Sequence, residues 1–329
     1  VEKKPLFHFY PGSYTLSLGT VGCNFTCQFC QNHNLAQDVK GIAPSNIASC
    51  AKPDAAPCAP HHTPKIPGKE LTPAALVNAA LQSGARSLSY TYSEPTVFFE
   101  LTLKTAALAC EQGLQNILVS NGYQSPLAMK HLKDFIQAAN FDLKAFSNDF
   151  YRDLCGASLA PVLDNLKRAA DYGWWLEITT LLIPTLNDNP DELFKLATFI
   201  HDELGPDVPW HVSRYRPAYN LSIAPTPVKT LEMAVTIGKE AGLNYVYAGN
   251  LPAHTAENTY CPACQTLLVQ RRGFEIEIHS SGACPALNPR RFCQGGSRGF
   301  GRLPLRRGQA LRAGAGQRLQ ARRGHSPRG

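Results

Sequence analysis

The chain has 329 residues, 44% of them hydrophobic, and a formal net charge of +7 at pH 7. This length suits one large α/β domain with a small appendage, and no apolar run approaches the roughly 20 residues of a membrane span. The N-terminal stretch VEKKPLFHFYPG lacks the charged-then-apolar pattern of a secretion signal. Eleven cysteines, three of them close together, do not suit a disulfide framework, so we expect a reducing, cytoplasmic setting.

The basic excess lies at the C-terminal end of the chain. Residues 290–329 hold eleven of the 32 basic residues, all of them arginine, and no acidic residue. The rest of the chain therefore has 21 basic and 25 acidic residues, a net charge of −4. A mildly acidic body argues against nucleic-acid binding by the folded part. The Arg/Gly tail has no hydrophobic face and is predicted to be disordered.

Short β-branched or aromatic runs alternate with helical patterns through most of the chain. Strands are predicted at Thr15–Leu18, Ser87–Tyr92, Asn116–Ser120, Phe141–Lys144, Trp175–Ile183, Pro209–Tyr215 and Tyr245–Ala248. Helices are predicted at Thr72–Ser83, Thr96–Gln112, Ser125–Ala138, Pro161–Tyr172, Pro190–Glu203 and Thr230–Ala241. Three helices begin with a capping residue followed by proline: Thr72-Pro73, Ser125-Pro126 and Asn189-Pro190.

Repeated β-α units of this kind predict a parallel sheet with right-handed crossovers, either barrel-like or doubly wound. Six or seven units favour an α/β fold of the partial (β/α)6 TIM-like barrel type over residues 1–250, with its chemistry at the C-terminal ends of the strands. An insertion at about 43–67 interrupts the alternation and is interpreted as flexible. The alternative for this insertion is a metal site built from Cys50, Cys58, His61 and His62.

The most specific motif follows the first predicted strand. Cys23, Cys27 and Cys30 form a C-x3-C-x2-C cluster in the segment TVGCNFTCQFCQN. Three thiolates in eight residues suit an iron–sulfur cluster, and three local ligands leave one iron of a [4Fe–4S] cluster open. Phe29 is placed to shield such a cluster. The alternatives are a coincidental cysteine-rich loop or half of a zinc site.

Polar residues recur where the predicted strands meet the loops that follow them. Taken singly, each of them has a capping or solvated role as its alternative. In a barrel these positions meet at one rim, which also carries the cysteines. Period two places Asp142 and Lys144 on the same face of their strand. The residues singled out are Ser93, Glu94, Asn121, Asp142, Lys144 and His211.

The cysteine loop resembles the C-x3-C-x-aromatic-C signature of the radical S-adenosylmethionine (SAM) superfamily. The resemblance implies a [4Fe–4S] cluster held by Cys23, Cys27 and Cys30, with SAM chelating the open iron. It further implies reductive cleavage of SAM to methionine and a 5′-deoxyadenosyl radical, which abstracts hydrogen from a substrate. Reduced flavodoxin or ferredoxin is the implied electron donor, and a protein partner is a candidate.

The resemblance also assigns the contacts to SAM. Ser93-Glu94-Pro95 matches the position of the Gly-Gly-Glu-Pro motif, which binds the amino group of SAM, although both glycines are replaced. Val119 stands where glycyl-radical-enzyme activases often have an aspartate. Polar positions around SAM in those activases are matched by Asn121, Asp142, Lys144 and His211.

Taken together, the motifs are most similar to the radical SAM component of the AmmeMemoRadiSam system, over about residues 5–287 apart from the insertion. They are GTVGCNFTCQFCQN, YTYSEPT, NILVSNGY, FDLKAFS, TTLLIPTLND, PWHVSRY, YVYAGN and ENTYCPAC. The predicted function is therefore that of a radical SAM enzyme with an unidentified substrate. The alternatives are a glycyl-radical-enzyme activase related to the pyruvate formate-lyase activating enzymes, and a nucleic-acid-binding protein that acts through the basic tail.

Three cysteines near the C-terminus are candidate zinc ligands: Cys261, Cys264 and Cys284. Their spacing resembles a zinc ribbon, whose template has a second C-x2-C pair. Leu287 stands where relatives have the fourth cysteine, and a closed tetrahedral site needs four ligands. We therefore interpret residues 251–289 as a degenerate ribbon unless Cys293 or His279 supplies the missing ligand.

Overall fold

Seven parallel strands form the main sheet of the computed structural model, which describes residues 1–37, 68–251 and 254–279. Each strand pairs in parallel with the next one along the chain. The order confirms the predicted α/β fold of partial-barrel type, with six crossovers joining the strands. The strands are β1 (Thr15–Leu18), β2 (Ser87–Tyr90), β3 (Gln115–Ser120), β4 (Ala138–Asp142), β5 (Trp175–Leu182), β6 (Trp210–Arg214) and β7 (Val246–Gly249).

The helices between the strands begin where the capping signals predict. Thr72, Ser125 and Asn189 each accept a backbone hydrogen bond at a helix N-terminus, with proline at the first helical position. These caps determine where three of the helices that connect the strands begin. The helices are α1 (His33–Ala36), α2 (Pro73–Gln82), α3 (Phe99–Glu111), α4 (Pro126–Leu132), α5 (Asn148–Phe150), α6 (Ala160–Asp171), α7 (Pro190–Phe199) and α8 (Val228–Glu240).

The largest disagreement between predicted and observed element limits concerns two neighbouring elements. The helix predicted at Ser125–Ala138 is wrong beyond Leu132, because β4 already begins at Ala138. The strand predicted at Phe141–Lys144 correspondingly starts three residues earlier and ends two residues earlier, at Asp142. Ala138 and Ala139 favour a helix by intrinsic propensity, but both are buried and pair with β5, so sheet packing decides their conformation.

The N-terminal segment, residues 1–12, lies against inward-facing residues of β3, β4 and β5. Val1 and Leu6 pack in one buried cluster with Ile117 and Ala138. The side-chain amide of Asn140 donates a hydrogen bond to the carbonyl oxygen of Pro5 at 2.8 Å. Several residues of this segment line a cavity described below. The segment therefore acts as one wall of the space inside the open barrel.

A small antiparallel sheet follows the barrel and consists of β8 (Thr259–Tyr260), β9 (Leu267–Arg272) and β10 (Glu275–Ile278). Arg271 on β9 is 2% exposed, and its guanidinium donates to the carbonyl oxygen of Phe7 at 2.8 Å. The small sheet thus packs on the N-terminal segment. Within the described ranges, none of the helices combines the length and apolar character needed to cross a bilayer.

Several sequence predictions lie outside the residues that the structure describes. They concern the insertion at about 43–67, with its candidate metal ligands, and the basic tail at 290–329. Cys284, the third candidate zinc ligand, also lies outside this range.

Candidate active site

The loop that carries the three cysteines runs directly from the end of β1 and is anchored to a π-helical turn, Tyr151–Cys155. The amide of Thr26 donates to the carbonyl oxygen of Cys155 at 2.9 Å, and the amide of Gln28 donates to that of Leu154 at 2.9 Å. Two buried aromatic residues of the loop, Phe25 and Phe29, complete its packing. The loop is therefore held by backbone hydrogen bonds on one side and by apolar contacts on the other.

The three thiols lie in different environments. Burial raises the pKa of Cys23 to about 12 and also raises the pKa of Cys30. A hydrogen bond from Cys155 lowers the pKa of Cys27 to about 7. The Lys144 ammonium lowers the pKa of all three thiols, although it is not the largest influence on any of them. Bound iron would supply the positive charge that two of these thiolates need.

The three thiols of the loop could ligate a polynuclear cluster. A [4Fe–4S] cluster offers a separate iron to each thiolate. Cys23, Cys27 and Cys30 all line the same cavity, which is consistent with ligation at three corners of a cluster.

Glu94 is the centre of a buried hydrogen-bond network. Its carboxylate accepts from the amide and hydroxyl of Thr96 at 3.1 and 2.6 Å, and from the hydroxyl of Ser120 at 2.9 Å. The amide of Asn121 and the side chain of Gln124 also donate to it, at 2.9 and 3.3 Å. Burial raises the pKa of Glu94 even though these hydrogen bonds oppose the shift. An incoming ammonium group would supply the cation that this carboxylate lacks.

Asn121 links the Glu94 network to the cysteine loop. Its side-chain amide donates to Oδ1 of Asn24 at 2.7 Å and lies 3.9 Å from Sγ of Cys23. The side-chain amide of Asn24 in turn donates to the carbonyl oxygen of Tyr123 at 3.1 Å. The loop after β3 and the loop after β1 are thus joined at the rim of the sheet.

Asp142 and Lys144 form an ion pair, as their predicted common face suggests. Nζ of Lys144 lies 2.9 Å from Oδ2 of Asp142. Burial alone would lower the pKa of Lys144, but Asp142, Cys27 and Cys155 raise it well above its ordinary value. Lys144 therefore remains a cation beside the thiols.

His211 on β6 is held by Glu177 on β5. Nε2 of His211 lies 2.7 Å from Oε2 of Glu177, and both side chains are almost fully buried. Burial alone would raise the pKa of Glu177, but the hydrogen bond and charge of His211 help to lower it. The pair fixes the imidazole ring at the cavity wall.

One cavity of about 650 Å³ brings the predicted site residues together. Ser93 adds a feature that fits a polar ligand, because its hydroxyl oxygen is buried without a hydrogen-bond partner in the described part of the chain. Three thiols, one nearby cation and this hydroxyl form a donor set suited to an iron–sulfur cluster with a polar cofactor beside it. The predicted residues that line the cavity are Cys23, Cys27, Cys30, Ser93, Glu94, Asn121, Asp142, Lys144 and His211.

The two candidate zinc cysteines that the structure describes, Cys261 and Cys264, do not line this cavity. Cys261 is buried and Cys264 is exposed, and both belong to the turn between β8 and β9. The amide of Gln265 donates to the carbonyl oxygen of Cys261 at 2.8 Å. The comparisons below give no support for zinc, so the degenerate-ribbon interpretation stays a prediction.

Sequence reasoning missed several residues of the cavity wall. Lys3, Lys4 and Phe7 come from the N-terminal segment, which carries no periodic pattern that would place it inside the barrel. Glu177 does not line the cavity but orients His211, which does. The sequence did contain an indication of Glu177, because an acidic residue within the otherwise apolar strand WLEITTLL is expected to be paired when buried.

Parallel β/α units with a three-cysteine loop at the strand ends define a class of α/β protein with a candidate iron–sulfur centre. A family model described as the Radical SAM superfamily matches residues 17–197, which are more than half of the chain. The uncharacterized protein MJ0808 of Methanocaldococcus jannaschii is 42% identical over 279 residues, which cover 84% of this chain and 76% of that protein. The chain therefore belongs to the radical SAM superfamily. Family membership implies enzyme activity with a [4Fe–4S] cluster and SAM.

Solved structures agree with the fold. SuiB of Streptococcus suis bound to S-adenosylmethionine aligns with a TM-score of 0.53 at 15% identity, over 76% of this chain and 55% of that chain. SuiB bound to precursor peptide SuiA aligns with a TM-score of 0.51 at 14% identity, over 73% and 50% of the two chains. The chain spans about half the length of SuiB, and at such identities the likeness extends to the fold alone.

Proposed function

We propose that this protein holds a [4Fe–4S] cluster through Cys23, Cys27 and Cys30 and binds SAM in the adjoining cavity to initiate radical chemistry on a substrate. The supporting observation is that all nine residues predicted to hold the cluster or SAM line one cavity of about 650 Å³. When bound, the reduced cluster supplies the electron that cleaves SAM to methionine and a 5′-deoxyadenosyl radical, which abstracts hydrogen from the substrate.

The chain's own residues bind and orient the cofactors. Glu94 offers a buried carboxylate to the ammonium group of SAM, and Ser93 offers a hydroxyl without a present partner. Lys144, held by Asp142, supplies positive charge beside the thiolates. Phe29 is 3% exposed and shields the loop from water.

Asn121 and His211 complete the proposed contacts to SAM. Asn121 is fixed at the cavity by two hydrogen bonds, one from its side chain to Asn24 and one from its backbone amide to the carboxylate of Glu94. His211 is held by Glu177, which leaves its second ring nitrogen for a ligand. Side chains held in this way bind a cofactor with little loss of conformational freedom.

Within the superfamily, we assign the chain to the radical SAM component of the AmmeMemoRadiSam system. The motifs from GTVGCNFTCQFCQN to ENTYCPAC support this assignment, and they cover about residues 5–287. We further propose a cytoplasmic enzyme that takes its electron from reduced flavodoxin or ferredoxin. Its domains are the barrel at 1–250, the ribbon-like segment at 251–289 and the basic tail at 290–329.

The test is anaerobic reconstitution with iron, sulfide and SAM, followed by measurement of bound iron and of 5′-deoxyadenosine. We expect Cys23→Ala, Cys27→Ala and Cys30→Ala each to lose the cluster and SAM cleavage. Cys110→Ala is the matched control, because Cys110 lies on α3 and does not line the cavity. Full deoxyadenosine production by any of the three loop variants would contradict the ligand assignment.

The activase alternative differs in its product. Val119 lines the cavity where activases often have an aspartate, so this position offers no carboxylate. We therefore favour hydrogen abstraction from a small or partner-bound substrate over installation of a glycyl radical. A stable glycyl signal by electron paramagnetic resonance, after incubation with a candidate partner enzyme, would support the activase instead.

A further inference from the structure

Two lysines of the N-terminal segment line the cavity, and neither forms an ion pair within the described part of the chain. Lys3 and Lys4 both line it, and Lys4 is only 3% exposed. Nζ of Lys4 lies 3.8 Å from the centre of the Tyr92 ring, and Nζ of Lys3 lies 6.0 Å from the same centre. Two ammonium groups therefore converge on one aromatic ring.

The charge of Lys4 is not compensated within the part of the chain that the structure describes. None of the ion pairs there includes Lys4. Glu2, two residues away, accepts from the amide of Gly12 at 3.1 Å, and Asp142 is paired with Lys144. Burial lowers the pKa of Lys4, a hydrogen bond to Tyr92 and the charge of that side chain oppose the shift, and the charge of Lys3 adds to it.

Contact with the ring is a weak substitute for a counter-ion. A cation over an aromatic face gains only a modest attraction, whereas burial of an unpaired ammonium costs considerably more. Two like charges at one ring add repulsion. An anion between the two ammonium groups would relieve both the desolvation and the repulsion.

Tyr92 holds this arrangement next to the proposed SAM contacts. It directly precedes Ser93 and Glu94, and its φ of +72° is a strained value for an aromatic residue. The side-chain amide of Asn32 donates to its carbonyl oxygen at 2.9 Å, which ties it to the end of the cysteine loop. The ring is thus fixed at the cavity wall beneath the lysines.

We propose that Lys3 and Lys4 bind an anionic group, a carboxylate or a phosphate, on the substrate of this enzyme. This inference rests on the proposed function, because it assigns a substrate class to the same cavity. Each ammonium group has three donors and no acceptor, which suits either oxyanion. The substrate is accordingly an acid or a phosphorylated molecule whose reacting hydrogen lies between the lysines and the SAM contacts.

The test compares two small aldehydes as probes of the lysines in reconstituted, SAM-loaded enzyme. Glyoxylate carries a carboxylate and acetaldehyde does not. Either aldehyde forms an imine with a lysine amine, which cyanoborohydride reduces to a stable adduct. Mass spectrometry then shows which lysines are labelled. Lys104, exposed on α3, is the internal control. We expect the glyoxylate-to-acetaldehyde labelling ratio at Lys4 to exceed the ratio at Lys104 at least tenfold. Equal ratios, or no labelling of Lys4 by either probe, would overturn the proposal.

Competition identifies the anion and separates this inference from the proposed function. Protection of Lys4 by acetate indicates a carboxylate site, and stronger protection by inorganic phosphate indicates a phosphate site. If SAM alone abolishes the glyoxylate preference, the lysines bind the carboxylate of SAM and the inference fails while the proposed function stands. Failure of the enzyme to bind SAM at all would instead count against the proposed function.

A variant provides a second measurement. Lys4→Met keeps an unbranched apolar side chain against Tyr92 and removes the charge. We expect it to reduce the glyoxylate preference at Lys3 at least fivefold, because one of two cooperating cations is lost. Lys104→Met is the matched control and should leave the preference at Lys3 unchanged. An unchanged preference in Lys4→Met would show that the two lysines do not share an anion.

Discussion

His211 and Glu177 form a buried pair in which Nε2 lies 2.7 Å from Oε2, with the two side chains 2% and 0% exposed. The same carboxylate accepts hydrogen bonds from the amides of Phe7 and His8, each at 2.9 Å. The indole of Trp175 donates to it as well, at 2.9 Å. One carboxylate thus joins a cavity residue on β6 to the N-terminal segment that walls the cavity. A substitution at Glu177 should therefore affect both the position of His211 in the cavity and the stability of the fold.

Replacement of Glu177 by Gln tests this coupling. The neutral amide cannot accept from four donors, so we expect the free energy of unfolding to fall by about 2–4 kcal/mol. SAM binding should also weaken, because His211 loses the partner that fixes its ring. Urea denaturation and equilibrium dialysis of labelled SAM measure the two effects.

The control for Glu177 is a carboxylate whose ion pair is exposed. Glu203 pairs with Lys167 at 2.8 Å, and both side chains are nearly half exposed. Glu203→Gln should change the free energy of unfolding by less than about 1 kcal/mol. Equal effects of the two substitutions would contradict the role given to Glu177.

His8 makes stability depend on pH. Burial lowers the pKa of His8 from its ordinary 6.5 to about 3, against the opposing charge of Glu177. Between these two values the unfolded chain binds a proton at His8 and the folded chain does not. The free energy of unfolding therefore falls as the pH is lowered below 6.5, by up to about 1.4 kcal/mol per pH unit.

His8→Phe should remove this part of the acid sensitivity. Tyr247, whose hydroxyl lies 2.6 Å from Nε2 of His8, keeps its contact with Thr259 at 2.8 Å. Urea denaturation at pH 6.5, 5.5 and 4.5 measures the difference between variant and wild type. That window lies at or above the ordinary pKa of 4.5 for Glu177, which the fold lowers further, and Glu177 is present in both proteins, so it contributes little to their difference. A difference that stays constant across the window would show that His8 is protonated in the fold.

The residues after the strands could be predicted because a parallel sheet brings its C-terminal strand ends to one rim. The cavity is lined by residues from three different strands or strand ends. Asn121 directly follows β3, Asp142 ends β4 and His211 lies in β6. Their positions follow from strand order and period-two alternation, which the sequence contains. Lys144 lies beside Asp142 as the predicted alternation suggests, although β4 ends at Asp142 and Lys144 belongs to the loop that follows.

The N-terminal wall could not be predicted in this way. Lys4 and Phe7 lie in a segment without regular structure, so no periodicity points them inward. Their placement depends on contacts more than a hundred residues away in sequence, such as the bonds from Phe7 to Glu177 and from Asn140 to Pro5. Such long-range contacts leave no local pattern.

Gly156 provides a test of the anchor beneath the cysteine loop. It ends the π-helical turn with φ of +67°, and a Cβ there would collide with Oγ1 of Thr26, next to Cys27. Gly156→Ala should therefore displace the loop and lower the iron bound after reconstitution. Gly113 has a similar φ of +76° with nothing within 4 Å, so Gly113→Ala carries only the cost of the left-handed conformation, about 1–2 kcal/mol.

Iron content separates the two glycine variants. Both should lose stability through backbone strain, and Gly156→Ala should lose more because of the collision with Thr26, but only Gly156→Ala should lose iron. Iron assay and urea denaturation on the same preparations provide the comparison. Equal iron content in the two variants would mean that the turn does not position the loop.

Glu94→Gln separates binding of SAM from assembly of the cluster. The substitution keeps the shape of the side chain but removes the charge that would pair with the ammonium group of SAM. A charge-assisted hydrogen bond contributes about 1.5–3 kcal/mol, so the dissociation constant of SAM should rise roughly 10- to 150-fold. Glu100→Gln, at an exposed position on α3, is the control and should leave it unchanged.

The iron content of Glu94→Gln decides between two roles for this carboxylate. Glu94 accepts from the amide of Asn121, whose side chain reaches the cysteine loop through Asn24. If Glu94 mainly braces that loop, its loss would lower bound iron and SAM affinity together. The substituted side chain would retain a carbonyl oxygen for the Asn121 amide but could not accept from every donor of the network, so we expect the free energy of unfolding to fall. Because the link to Asn121 would remain, we expect bound iron in the folded protein to stay near the wild-type amount while SAM affinity falls. Parallel loss of both would assign Glu94 a structural role and leave the ammonium of SAM to another acceptor.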